Sequence, residues 1–157
     1  MESIIFYSFS ITYGFSGMAG TSRRSARISS RFRLLQLRLA AHGTPYVPSP
    51  LLYDGLLYFN QSNNAILSCL DAKSGEALID RVRMPGMQRV YASPVAAAGR
   101  VYCAGRDGTT LVIERGPEFK VLAENTLDEG TDASPAIVDQ QLFRRGRSQL
   151  YCIATQN

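Results

Sequence analysis

The sequence predicts an all-β chain of about three similar antiparallel units, the last of them incomplete, preceded by a leader that lacks the repeat. Three observations support this prediction. A Ser-Pro pair opens each unit, at Ser49, Ser93 and Ser134. The eighth residue after each proline is aromatic, as Tyr58, Tyr102 and Phe143. Short runs of β-forming residues broken by turn residues fill the space between, and similarity at a fixed period is typical of repeat architectures.

The first unit contains four segments with the composition of strands, at residues 51–53, 56–60, 65–71 and 76–82. Turn-forming residues separate these segments, as Asp54-Gly55, Asn63-Asn64 and Lys73-Ser74-Gly75. The side chains of Asp71 and Ser74 can cap the last turn, while Gly75 supplies a left-handed backbone. Four short strands joined by tight turns predict an antiparallel meander.

The second unit repeats this order, with predicted strands at residues 95–97, 100–104, 109–114 and 119–125. Its turns are Ala98-Gly99, Asp107-Gly108 and Gly116-Pro117, and Asp-Gly between β-type runs is a strong hairpin signal. The third unit stops after three strands, at 136–138, 141–144 and 150–154. The third strands of the first two units are apolar on both faces. This pattern predicts sheets that stack on neighbouring sheets.

The chain has three cysteines and no CxxC motif, so the count alone indicates neither a disulfide framework nor a zinc site. Counting from each proline aligns Cys69 with Ile113 and Cys152, and Cys103 with Phe59 and Arg144. We therefore predict that Cys69 and Cys152 are small buried hydrophobic residues in strands. A disulfide or a reactive thiol is the alternative. It is less favoured because equivalent positions of different units lie far apart compared with the roughly 4.4–6.8 Å between bridged Cα atoms.

The leader, residues 1–43, shows two patterns. Residues 4–13 alternate apolar and polar side chains, which favours a strand or a disordered leader. A signal peptide is the alternative, but the segment before the apolar stretch carries Glu2 and no basic residue. Residues 21–41 are rich in Ser and Arg and predict a linker, with a transit-like leader or a basic amphipathic surface helix as alternatives. His42 is interpreted as an incidental linker residue, and no segment predicts a membrane span.

Charge is distributed unevenly along the chain. Residues 1–43 carry six arginines and one glutamate, whereas residues 44–157 carry eleven basic and twelve acidic side chains. The repeat region thus has no overall bias toward nucleic acid, and no nucleic-acid partner is predicted. A local basic cluster, Arg144, Arg145 and Arg147, is predicted to be a solvated loop tip, with a phosphate site as the alternative.

The repeat region contains no motif for known catalytic chemistry. GxGxxG, P-loop, HExxH, EF-hand and GxSxG patterns are absent, and no histidine lies after His42. The aspartates Asp54, Asp71, Asp107 and Asp139 are predicted to form turns. The loops that carry Arg106, Asp107 and Asp132 can face a central channel, as can the equivalent loop of every unit. We therefore assign no catalytic, cofactor-binding or metal-binding residue.

Four antiparallel strands in about 40–45 residues form the blade of a β-propeller. On two signatures the chain resembles the pyrroloquinoline-quinone-like (PQQ-like) propeller repeat family: Ser-Pro-x-x-x-Asp-Gly-x-x-Tyr from Ser49 to Tyr58, and Cys69-Leu-Asp71-Ala-Lys-Ser74-Gly75. The resemblance spans roughly 110 residues. From Tyr91 onward the sequence is similar to the last blades of bacterial propellers compared with the outer-membrane assembly lipoprotein.

The chain departs from that family in ways that bear on chemistry. Ile79 stands where the family has a docking tryptophan, the chain has no tryptophan, and Glu114-Arg115 replace the Asp-turn pattern in the second unit. The resemblance implies that quinone dehydrogenase activity would require a tryptophan beneath the cofactor, a calcium site and a disulfide between adjacent cysteines. None of these maps onto this chain. The expectation is therefore no cofactor and no enzyme activity.

These observations predict two regions: a leader, 1–43, and a partial β-propeller, 44–157, with units at about 44–88, 89–130 and 131–157. Since propellers typically have at least four blades, missing blades or self-association are expected to complete the ring, and residues 4–13 could add one strand. The leading hypothesis is a non-catalytic protein-interaction scaffold. By resemblance, it belongs to the cell envelope. The alternatives are a C-terminal fragment of a PQQ-dependent dehydrogenase, or a truncated product without autonomous function.

Overall fold

The computed structural model describes residues 43–154, in which every regular element is a β-strand. The eleven strands are β1 (Leu51–Tyr53), β2 (Leu56–Asn60), β3 (Ile66–Asp71), β4 (Ala77–Arg83), β5 (Val95–Ala97), β6 (Arg100–Ala104), β7 (Thr109–Glu114), β8 (Val121–Thr126), β9 (Ala136–Val138), β10 (Gln141–Arg145) and β11 (Leu150–Ala154). Each predicted strand is found to within two residues. The expectations for residues 4–13, 21–41 and His42 lie outside the described residues.

The strands form three antiparallel meanders, in the orders β1-β2-β3-β4, β5-β6-β7-β8 and β9-β10-β11. We call them blades 1, 2 and 3. The third sheet has three strands, and the described blades do not close into a ring. The prediction of an all-β, partial propeller with an incomplete last blade is therefore confirmed. In residues 43–154 no helix has the length and hydropathy needed to cross a membrane.

The first hairpins of blades 1 and 2 have the geometry that their turn residues predict. Asp54 and Gly55 have φ of 47° and 76°, and Ala98 and Gly99 have φ of 49° and 72°. Two successive positive φ values are characteristic of the type I′ turn, which suits the twist of a two-residue hairpin. Glycine at the second position adopts this conformation without a Cβ penalty.

The registers correct one predicted alignment. Tyr58 pairs with Cys69 in blade 1, whereas its counterpart Tyr102 pairs with Val112 in blade 2 and Ile113 pairs with Val101. The predicted equivalence of Cys69 and Ile113 is therefore wrong by one position. The reason is the second hairpin of blade 1, which has one more loop residue than that of blade 2 and shifts the count from the proline.

A core of apolar side chains joins blades 1 and 2. Buried residues of blade 1 (Tyr58, Leu67, Cys69 and Ile79) lie in one cluster with buried residues of blade 2 (Val101, Cys103, Leu111 and Ile113). Met84 and Met87, from the connection after β4, are also buried in this cluster. Neither sheet can cover its own apolar face, so each blade depends on its neighbour for burial.

The repeated serine links the blades through hydrogen bonds. The backbone N–H of Ser49 donates to Oγ of Ser93 at 2.8 Å, and the backbone N–H of Ser93 donates to Oγ of Ser134 at 2.9 Å. Each bond joins one blade to the next at the start of its first strand. This ladder gives the Ser-Pro repeat a structural role that the sequence pattern alone did not reveal.

Blade 3 leaves much of its surface uncovered. Leu150 is 65% exposed and Ile153 is 44% exposed, and Cys152 is also exposed. The prediction that Cys152 is buried is therefore wrong, because burial of this position needs an adjacent sheet and the described chain places none there. For Cys69 the prediction is confirmed, since it is buried between blades 1 and 2.

The three thiols are free and should differ in reactivity. Burial raises the pKa of Cys69 to about 11 and that of Cys103 to about 12, and the thiolate is the reactive form. We expect a disulfide reagent to modify Cys152 within minutes under native conditions, and the other two only after unfolding in urea. Thiol titration with and without urea measures this. Rapid modification of all three native thiols would contradict the packing of blades 1 and 2.

Candidate interaction face

The hairpins between the second and third strands of each blade lie at the same end as the connections between blades. An antiparallel meander requires this arrangement, because successive turns alternate between the two ends of a sheet. Contacts bind these segments together: Asn64 forms a β-bridge with Arg89, and the backbone N–H of Arg106 donates to the carbonyl of Arg89 at 3.0 Å. We call this end the loop face and the opposite end the turn face.

An arginine and an aromatic ring form the centre of the loop face. The guanidinium carbon of Arg106 lies 4.1 Å from the centroid of the Tyr91 ring, which is cation–π geometry. Nη2 of Arg106 donates to Oδ2 of Asp132 at 2.9 Å. That hydrogen bond raises the pKa of Arg106 above its ordinary value. Arg106 is thereby fixed by Asp132 from the next connection and by the ring of Tyr91.

A depression of about 290 Å³ lies beside this pair and is lined by Tyr46, Ser62, Asn63, Asn64, Arg89 and Tyr91. Tyr46 is 82% exposed at its rim. The segment that carries Tyr46 is held in place, because the N–H of Val47 donates to Oδ1 of Asn63 at 3.1 Å. The lining supplies amide, guanidinium and phenol groups, which suit hydrogen bonding to a peptide.

Glu129 fastens the connection between blades 2 and 3 to the last hairpin. Its carboxylate accepts hydrogen bonds from N–H and Oγ of Ser148, at 2.8 and 2.7 Å, and from N–H of Gln149 at 3.0 Å. A Cβ at Gly146 would overlap Oε1 of Glu129, so a side chain there would displace the carboxylate. The bonds from Ser148 are the main cause of a pKa for Glu129 of about 2, below its ordinary 4.5.

Glu129 therefore predicts a pH effect. Because its folded pKa is lower than its unfolded pKa, the stabilisation is complete above about pH 4.5 and is lost as the pH falls towards about 2. We expect Glu129→Gln to weaken the pH dependence of unfolding in this window and to lower the midpoint near pH 7. Urea melts between pH 3 and 7 measure both. If the urea midpoint of Glu129→Gln fell with pH as steeply as that of the wild type, the assignment of this pH dependence to Glu129 would be wrong.

Arg144 departs most from expectation. The predicted solvated position is wrong for this residue, because it is completely buried within β10, at the end of the strand predicted at 141–144. Its Nε, Nη1 and Nη2 atoms have no hydrogen-bond partner among the described residues. Burial lowers its pKa, and the charge of Asp107 acts in the opposite direction. Arg145 and Arg147 are exposed, as predicted.

Sequence reasoning placed Arg106, Asp107 and Asp132 in loops that could face a channel. The structure brings Arg106 and Asp132 together. Asp107 instead forms its own turn, since its Oδ1 accepts from N–H of Thr109 at 2.9 Å. Tyr91, Arg89 and Glu129 were not singled out. The polar and aromatic segment directly before the second Ser-Pro pair could have identified Tyr91 and Arg89 from the sequence.

Comparison with solved structures gives matches to β-propellers. BamB from Moraxella catarrhalis aligns with TM-score 0.55 and 21% identity, over 69% of this chain and 33% of that one. Quinohemoprotein alcohol dehydrogenase from Comamonas testosteroni aligns with TM-score 0.52 and 14% identity, over 65% and 17%. The described blades thus share the fold of these PQQ-like β-propellers. The computationally designed Ika8 protein also aligns, with TM-score 0.54, 13% identity, and coverage of 68% and 32%.

This chain spans a third or less of the lengths of those three structures. No protein-family model matches it, and no curated protein matches it by sequence. The likeness therefore concerns the fold of the blades.

The PQQ-like fold raises the question of whether these residues suit the quinone cofactor. The chain has no tryptophan to stack on the ring system. Its cysteines are free and far apart in sequence. In residues 43–154 no group of three His, Cys, Asp or Glu side chains is placed to hold a metal ion. The described residues thus do not fit the cofactor, and we derive no chemical step through it.

Proposed function

We propose that this chain is a non-catalytic β-propeller segment that acts as a scaffold and binds protein partners through its loop face. The observation that carries the proposal is the grouping of Tyr46, Arg89 and Tyr91 around one depression, with the guanidinium of Arg106 stacked on the Tyr91 ring. Tyrosine and arginine are enriched at the energetic centres of protein interfaces, where one side chain offers both apolar area and hydrogen bonds.

The rigidity of this group supports the proposal. Arg106 is held by Asp132 and Tyr91, and the backbone of Arg89 is tied to the neighbouring hairpins. A side chain that is fixed before binding loses less conformational entropy when a partner docks, which favours affinity. On the turn face, the exposed Lys73 lies in a tight turn organised by Asp71 and provides a fixed reference position at the opposite end of the blades.

The apolar surface of blade 3 supports a second part of the proposal. Val138 is 54% exposed, Leu150 65% and Ile153 44%. Uncovered apolar side chains beside an unpaired strand favour association. Further blades or a second copy of the chain are the occupants expected there. By sequence resemblance, the proposal extends to a location in the cell envelope, which fractionation of the source cells tests.

Site-specific photo-crosslinking tests the binding face. A photo-reactive amino acid at Tyr46 reports on the loop face, and the same group at Lys73 reports on the turn face. We expect a defined crosslinked protein from position 46 only. The substitution Arg89→Ala should weaken that product at least several-fold, while Lys73→Ala should leave it unchanged. Equal products from both positions, or no effect of Arg89→Ala, would argue against the loop face.

The alignment with a quinohemoprotein alcohol dehydrogenase favours one alternative, that the chain is part of a quinone-dependent enzyme. Addition of pyrroloquinoline quinone and Ca²⁺ to the purified protein distinguishes the two functions. The scaffold proposal expects no saturable change in the quinone absorption spectrum. Saturable, calcium-dependent binding would favour the enzyme.

A further inference from the structure

The buried guanidinium of Arg144 needs a physical explanation. Phe59 and Cys103 occupy the equivalent position in blades 1 and 2, nine residues after the proline, and both are buried apolar side chains. Cys103 packs in the cluster shared with blade 1. By this equivalence Arg144 lies on the face of blade 3 that meets blade 2, and the influence of Asp107 on its pKa agrees with that position.

Three acidic groups on this side of the molecule have other partners. Glu129 accepts from Ser148 and Gln149, Asp132 accepts from Arg106, and Asp107 accepts from the N–H of Thr109. The nitrogens of Arg144 therefore remain unpaired although each is shielded from solvent. A buried charge without hydrogen bonds is energetically costly. Binding of any group that can reach the guanidinium and accept hydrogen bonds from it is therefore strongly favoured.

We propose that Arg144 anchors a binding site for a small carboxylate anion at the junction of blades 2 and 3. The planar guanidinium presents its N–H groups as a fork that matches the two oxygens of a carboxylate. The neighbourhood selects among oxyanions in two ways. Asp107 repels each additional negative charge, which favours a monoanion, and the apolar character of the equivalent positions favours an anion with an alkyl group.

The route to the site passes the loop between β6 and β7. Asp107 belongs to that loop and is exposed, and its charge acts on Arg144, so this loop adjoins the guanidinium. Because no nitrogen of Arg144 is exposed, the anion enters only when this loop or the adjoining connection moves. Binding is therefore expected to be slower than diffusion allows.

Thermal unfolding of the full chain in acetate and in chloride, at equal ionic strength and pH, tests the proposal. Acetate at about five times its dissociation constant is expected to raise the midpoint of the wild-type protein by about 4 °C relative to chloride, because a ligand of the folded state stabilises it, and the rise should grow with the logarithm of the acetate concentration. The exposed control Arg147→Met should keep this rise. Arg144→Met should lose it, and circular dichroism in chloride verifies that the variant is folded.

A second measurement is independent of stability. Saturation-transfer NMR on the acetate methyl group should give a signal with the wild-type protein and with Arg147→Met, and none with Arg144→Met. Sulfate tests whether the site accepts a dianion. The part of its thermal stabilisation that depends on Arg144 should be smaller than that of acetate. An equal response of wild type and Arg144→Met overturns the site. A larger Arg144-dependent effect of sulfate overturns the preference for a carboxylate.

Discussion

Replacing the buried arginine, Arg144→Met, is expected to raise the free energy of unfolding in chloride buffer by about 1–4 kcal/mol. The guanidinium is removed from water and receives no hydrogen bond acceptor in return. Methionine fills a similar volume with a flexible, apolar chain. Phe59 and Cys103, which occupy the position equivalent to Arg144 in blades 1 and 2, show that this position accepts apolar side chains.

Urea unfolding followed by circular dichroism measures the change. The matched control is Arg147→Met, which removes the same charge from an exposed position of the same hairpin and should change stability by no more than about 0.5 kcal/mol. A destabilised Arg144→Met protein would show that the guanidinium has a partner within the chain itself. An unchanged midpoint for both variants would show that it is hydrated.

The blades were predictable because the signals for their strands are local. Asp54-Gly55 fixes the first hairpin through two positive φ values, and Asp71 fixes a later turn by accepting hydrogen bonds from Lys73 and Ser74. Such turn chemistry acts within four residues of sequence, so a single chain is enough to identify it. The confirmed strand positions follow from turns of this kind.

The errors arose where a residue's environment depends on another blade. Cys69 and Cys152 have the same strand partners, an aromatic residue of the preceding strand, yet one is buried and the other exposed because blade 2 covers only the first. Arg144 was predicted to be solvated because runs of charged residues usually are, although the strand pattern placed it at the end of the segment 141–144. Its burial follows from the stacking of blades, which no local pattern records.

The loop face was predictable only in part, because its residues also come together through contacts between blades. Arg106 and Asp132 are 26 residues apart in sequence, and their pairing requires the connection between blades 2 and 3 to return across the hairpin between β6 and β7. Tyr91 completes the group from the preceding connection. Residues on three separate segments meet there because a meander returns each connection to the same end of the sheet.

The contact between blades 1 and 2 yields the second large effect: Tyr58→Ala is expected to lower the free energy of unfolding by about 3–5 kcal/mol. Tyr58 is completely buried in the shared core. Its hydroxyl accepts from the N–H of Gly116 at 3.1 Å and lies 3.3 Å from the carbonyl oxygen of that residue. Burial raises the pKa of Tyr58 to about 12, so the phenol stays neutral and can keep both interactions at ordinary pH.

Two further variants separate the causes of this loss. Tyr58→Phe keeps the ring but removes the hydroxyl, and should cost about 1 kcal/mol. Tyr102→Ala removes the equivalent aromatic residue of blade 2, which is only half-buried, and should cost less than Tyr58→Ala. Equal losses for Tyr58→Ala and Tyr102→Ala in urea melts would mean that both blade contacts are packed alike. A smaller loss at Tyr102 would locate the stable part of the chain in blades 1 and 2, with blade 3 held mainly by hydrogen bonds and by whatever covers its exposed strands.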